Sequence, residues 1–184
     1  MGTYISLLRG INVSGQKKIL MSDLKSLYSE LGFSNVQTYI QSGNVVFQST
    51  IEDKNVISKA LQNSISQEYN FDVPLLIVSL EELEAIANQN PYLAIDEFNP
   101  KFQYVGFLFS QAEQDKIQSV ATFSNEIETF EIKKSAIYFY CRSGYGKTKF
   151  SNNFFESKLK VVVTTRNWNS TLELINIAKK IENQ

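Results

Sequence analysis

Apolar residues recur along this chain in two rhythms, and the order of those rhythms is written out twice. Residues 3–9 are a short run rich in Ile and Leu that stops at Gly10, the pattern of a strand. After a polar stretch, Met21, Leu24, Leu27, Tyr28 and Leu31 return at three- and four-residue steps, and Gly32 stands where a left-handed cap would end the helix. Residues 36–40 and 45–48 read as two strands joined through Gln41, Ser42, Gly43 and Asn44, a turn-rich hairpin. Val56, Ile57, Ala60, Leu61 and Ile65 predict a second helix, and residues 73–78 a fourth strand. The order is βαββαβ.

Ser79 with Glu82 makes a capping box for a helix reaching about Asn88, after which Pro91 and Pro100 bracket an irregular connector. A second pass begins there. Residues 102–109 predict a strand, and Ser110 with Glu113 caps a helix. Residues 127–132 and 136–142 are strands separated by Lys133, Lys134 and Ser135. Ser151 opens a short helix, residues 161–165 a strand, and Ser170 with Glu173 caps a closing helix carrying Leu172, Ile175, Ala178 and Ile181. The expected fold is α+β, two tandem ferredoxin-like halves, each an antiparallel sheet with helices on one face. The expected boundaries are 1–79 for the first half, 80–101 for a helix and connector, and 102–184 for the second half with its C-terminal helix.

Right-handed crossovers in such a unit decide which loops share an end of the sheet. In the first half, residues 9–18 after strand one lie at the same end as the hairpin 41–44. In the second, residues 142–149 after strand three share an end with 164–169, expected to leave strand four. These polar loops are the candidate site. Arg9, Lys147, Lys149 and Arg166 would bring charge, while Asn12, Ser42, Asn44 and Asn167 bring oriented hydrogen bonds, with Gly10 and Gly43 shaping the backbone. Trp168 could stack on a ligand or simply be core. The leading expectation is a basic, Asn- and Ser-rich cleft between the halves that clamps an anionic or phosphorylated small molecule.

Composition narrows the chemistry. The 184 residues contain no His, which removes Ser-His-Asp and Cys-His nucleophile systems and imidazole acid–base work. A single Cys, Cys141, provides neither a disulfide within the chain nor a thiolate zinc cluster, and no metal site is expected. Lys and Arg number 18 against 19 acids, so no global field drives nucleic-acid or lipid binding. The sign is uneven, with 7 basic residues against 11 acids in 1–101 and 11 against 8 from 102 onward. No apolar run approaches a membrane span and no signal-like region opens the chain, so a cytoplasmic protein without a membrane partner is expected. Met1-Gly2 with Ser6 fits the short myristoylation pattern, yet Gly2 leads straight into a strand.

Tempting motifs fail on inspection. Gly146-Lys147-Thr148 follows a strand, but a Walker A loop would need Gly where Cys141 stands, and Gly144-x-Gly146 lacks the third Gly of a dinucleotide fingerprint. No general base is evident, since Asp96, Glu97, Glu126 and Glu128 read as solvated surface. Whether the protein is an enzyme, and with what cofactor, is therefore left open. Two other partner classes are weighed beside the anion. If Val105, Phe107 and Phe109 pack on the helices, Tyr104 joins Tyr138 and Tyr140 on the opposite sheet face. Nucleic-acid bases could stack on such a face, although the net charge disfavours it and no RNP1 pattern is present. The same tyrosine face could instead serve a scaffold or homo-oligomer.

The blocks YISLLRGINVSGQKKILMSDL, TYIQSGNVVF, NPY at 90–92, GYGKTKFS at 144–151 and TTRNWNS at 164–170 resemble the bacterial family known as domain of unknown function 1697. Ser14 stands where the family usually has Gly, and Ser170 where it has Thr. The resemblance implies a compact two-part α+β protein and no particular activity. It also implies signature positions at Arg9, Gly10, Asn12, Ser42, Gly43, Asn44, Arg166, Asn167 and Trp168.

Overall fold

The N-terminal apolar run forms β1 (Gly2–Leu8), followed by α1 (Met21–Glu30), β2 (Ser34–Tyr39), β3 (Asn44–Ser49), α2 (Lys54–Tyr69) and β4 (Leu75–Ser79). Helix α3 (Leu80–Asn88) opens the connector, and the second pass is β5 (Gln103–Leu108), α4 (Gln114–Ala121), β6 (Glu128–Lys133), β7 (Ala136–Cys141), α5 (Asn152–Leu159) and β8 (Val163–Asn167), followed by α6 (Trp168–Glu182). The structure is a computed structural model describing residues 1–95, 98–123 and 128–183. Asp96, Glu97, Glu126 and Ile127, which figured in the sequence reading, lie outside the described residues.

Each half is a four-stranded antiparallel sheet, ordered β2-β3-β1-β4 and β6-β7-β5-β8, with helices, so the duplicated α+β fold is present. The chain divides into two compact units, Met1–Glu84 with Glu173–Gln184, and Ala85–Leu172. That division puts the connector in the second unit and the end of α6 in the first, where Lys179 pairs with Glu84 at 2.6 Å.

In the first unit, β1 and β3 turn Tyr4, Leu8, Val45 and Phe47 toward Leu24, Leu27 and Tyr28 of α1 and Ile57, Leu61 and Ile65 of α2. Burying these side chains is worth roughly 1.5–3 kcal/mol each before entropy is counted. The Tyr28 hydroxyl, deep in this core, donates to Ser6 Oγ at 2.7 Å, which satisfies both polar groups. Helix α1 ends as its sequence predicts. Gly32 takes φ 84°, its N–H donates to Ser29 O at 3.0 Å, and the N–H of Phe33 reaches Tyr28 O at 3.2 Å. These two bonds make a Schellman cap, closed by contact of the Phe33 and Tyr28 rings.

The second unit corrects three expectations. The register pairs Tyr104 with Phe139 and Val105 with Tyr138. Tyr104 therefore packs on the helix side, beside Phe139 and Tyr145, while Val105 shares its face with Tyr138 and Tyr140. Both alternating sets on β5 are apolar, so alternation alone could not say which set meets the helices. Helix α4 begins after an N-cap at Glu113 that makes no side-chain capping bond, so the Ser110 box is not formed. Strand β8 runs to Asn167 because pairing with β5 continues to Tyr104↔Asn167. Asn167 Oδ1 then accepts from Ser170 N at 2.7 Å and caps α6 three residues ahead of the expected Ser170.

The face that carries Tyr138 and Tyr140 is covered within its own unit. Tyr138 donates to Ile86 O at 2.7 Å, and the Tyr140 ring meets Tyr92 and Phe102. Gln103 Oε1 accepts from Asn90 Nδ2 at 2.5 Å, tying the connector to β5, while Gln103 Nε2 has no partner among the described residues.

Candidate functional site

The first polar rim forms where β1 ends. Leu8 N donates to Gly43 O at 2.9 Å and Arg9 N to Pro74 O at 2.8 Å, so the hairpin tip and the start of β4 flank the chain as it leaves the sheet. The loop that follows winds through left-handed conformations at Gly10, Asn12, Ser14, Gly15 and Lys17. Such angles are uncommon for non-glycine residues, Asn taking them most readily. Asn12 fastens this loop. Its Oδ1 accepts from Ile19 N at 2.9 Å, and its Nδ2 donates to Ile19 O and to Gln41 O, each at 2.9 Å.

The amides expected to greet a ligand are therefore spent on the scaffold. Asn44 is fully buried and donates to Tyr39 O and Ser42 Oγ. Gly43 has φ 76°, and a Cβ there would lie 2.8 Å from Leu8 Cβ and from Ile11 Cδ1, so this position has no room for a side chain. Between the stapled loop and the hairpin opens a cleft of about 340 Å³. It is lined by Asn12, Gly15, Lys18, Ile19, Leu20, Met21 and Gln41. Arg9 and Gly10 stand at the same rim, half-buried and exposed respectively, without lining the cleft.

The second rim gathers as topology predicts. Tyr145 OH lies 3.0 Å from both Asn152 Oδ1 and Thr165 Oγ1, and Thr165 Oγ1 donates to Asn152 Oδ1 at 2.6 Å. These bonds fasten the loop 142–149 to β8, with the Tyr145 ring against Tyr104 and Phe139. Lys147 and Lys149 project from this loop into solvent.

Two other members of the candidate set, Arg166 and Trp168, are buried, and a third, exposed Asn167, is spent on a helix cap. Arg166 is 7% exposed and sits within β8 rather than on a loop leaving it. Its Nη1 donates to Thr164 Oγ1 and Thr165 O, each at 2.9 Å. Trp168 is 3% exposed and belongs to the core. Asn167 is occupied as the cap of α6. Burial pushes the Cys141 thiol up to about 11, against a smaller opposing bond from Thr148 and with a further push from Glu128, so it carries no reactive thiolate at neutral pH. Among the described residues no group of three or more His, Cys, Asp or Glu could hold a metal ion. No described helix is long and apolar enough to cross a membrane.

The sequence matches, over residues 1–138, the family described as Protein of unknown function (DUF1697). The chain belongs to the DUF1697 family. Among solved structures, this DUF1697 protein is similar to the conserved bacterial protein SP0830 from Streptococcus pneumoniae, at 26% identity and a TM-score of 0.68. That similarity covers 96% of this chain and 98% of the other. No curated protein matches the sequence.

The matched range holds the whole first rim, whereas GYGKTKFS and TTRNWNS lie beyond it. In this DUF1697 protein Asn12, Gly43 and Asn44 hold the first-rim loops in shape, and Asn167 caps α6. The cleft is lined mostly by others. Gly15, Lys18 and Gln41 lie in the candidate loops without having been singled out, and Ile19, Leu20 and Met21 lie just beyond them; the Asn12 bonds to Ile19 and Gln41 tie the two stretches together.

Proposed function

We propose that this protein binds a small anionic molecule in the first-unit cleft, between the loop after β1 and the tip of the β2–β3 hairpin. The observation that carries this reading is the cleft itself, lined by Lys18 and Gln41 beside Ile19, Leu20 and Met21, with Asn12 tying its two sides together. Its volume falls at the lower end of the roughly 300–1,000 Å³ typical of small-molecule sites. Met21, the first residue of α1, also lines it, and the Leu20 N-cap brings no side-chain acceptor to compete there. The positive end of the α1 dipole adds to the Lys18 charge, worth about 0.3–1 kcal/mol for an anion. Arg9, Lys147 and Lys149 remain candidate anion contacts at their own rims. Buried Arg166 and Trp168 are read instead as structure.

Amide chemical shifts of the full chain, followed while inorganic phosphate, a nucleoside monophosphate and short carboxylates are titrated, test this reading. Perturbation centred on Gly15, Lys18, Met21 and Gln41 is expected, weakened about tenfold by Lys18→Ala. The reading falls if no anion in the panel moves these amides, or if Lys18→Ala leaves the titration unchanged.

A further inference from the structure

We infer that the occupant of this cleft is an organic acid carrying one negative charge and an apolar body, in preference to a phosphorylated molecule. The inference rests on the anion-binding reading and narrows it. Charge is the first ground. Among the described residues lining the cleft, Lys18 is the one of formally charged type. Neighbouring Lys17 directs its ammonium to Asp72 O at 2.5 Å, and the first turn of α1 carries an acid, Asp23. A phosphate monoester brings about −1.5 to −2 charges and three acceptor oxygens. Tight phosphate sites answer that with guanidinium forks or a nest of Gly-rich amides. One lysine, one glutamine and a helix terminus of roughly half a charge match a single carboxylate.

The apolar wall is the second ground. Ile19, Leu20 and Met21 line the cleft consecutively, and Leu20 is 68% exposed although it lies between the buried Ile19 and the first helical residue. A ligand with an aliphatic or aromatic body removes that surface from water at about 25 cal/mol per Å². A phosphate ester of a sugar would leave it wet. Acid head toward Lys18 and Gln41, body along Leu20 and Met21, is the arrangement that satisfies both walls together.

The test titrates the full-length chain with hexanoate, phenylacetate, hexanol, inorganic phosphate and adenosine monophosphate, following the amides of Gly15, Leu20, Met21 and Gln41. The two carboxylates should bind at least about tenfold more tightly than hexanol or either phosphate. Lys18→Gln should weaken the carboxylates about tenfold without altering hexanol, and Leu20→Ser should weaken all apolar probes several-fold. Both side chains are exposed, so thermal melting should confirm that the variants stay folded. Phosphate or adenosine monophosphate binding at the cleft as tightly as the carboxylates would overturn the narrower inference and leave the anion site standing. Unaltered carboxylate affinity in Leu20→Ser would also overturn it. Silence from every anion would remove both.

Discussion

The side-chain amide of Asn12 donates to the backbone carbonyl of Gln41 at 2.9 Å, joining two stretches of chain that lie 29 residues apart. The same amide group exchanges two bonds with the backbone of Ile19, so one side chain holds a ten-residue excursion in shape and fixes it to the hairpin. Both of the joined stretches line the cleft.

Asn12→Ala should therefore lower stability by about 2 kcal/mol, the sum of modest net hydrogen bonds partly offset by water reaching the freed groups. Its sharper signature is local. Hydrogen exchange of the amides from residue 13 to residue 19 should speed up while exchange in β3 and α2 stays slow. Unchanged protection across this loop would show that the staple is not what orders it.

Arg166 behaves as structure, and its replacement should show that in denaturant. Arg166→Ala removes a buried guanidinium from Thr164 Oγ1 and Thr165 O and opens a void beside β5, at a cost of about 2–4 kcal/mol. Lys147→Ala, at an exposed loop position, should cost less than about 0.5 kcal/mol. Urea midpoints compare the two, and equal midpoints would contradict the interior placement of Arg166.

Acid should weaken the start of α3 through Glu82. Partial burial works to raise the pKa of this carboxyl, but Lys54 and the N–H and hydroxyl of Ser79 outweigh it and hold the group below its ordinary value. A depressed folded pKa stabilises the protein above the unfolded carboxylate value of about 4.3, and that contribution drains as pH falls through the folded value. Thermal melts between neutral and acid pH should thus show a smaller acid loss in Glu82→Gln than in the parent. Parallel profiles would refute it. Because the pair is well exposed, solvent screening keeps the effect small.

Signals confined to a few neighbouring residues were legible. The Gly32 cap, the reciprocal Ser79–Glu82 box and the Ser151 cap are each formed within three or four residues, and each is found as its sequence pattern implies. Where two local patterns were equally good, the chain could not arbitrate. Asn167 and Ser170 are both sound helix caps, and β5 carries apolar residues on both of its faces. Asn12 looked like a ligand donor because a polar side chain in a Gly-rich loop has the same appearance whether it faces water or its own backbone.

The order of strands and helices, their repetition and the absence of histidine chemistry were settled by the amino-acid sequence, because periodicity, capping and composition act over one or two turns of chain. Which face of β5 meets the helices, where β8 stops, and which polar groups remain to meet a ligand were decided only in three dimensions. Those outcomes depend on strand register and on hydrogen bonds between residues far apart in the chain, and the energy of such a pairing belongs to the closed structure rather than to either segment alone.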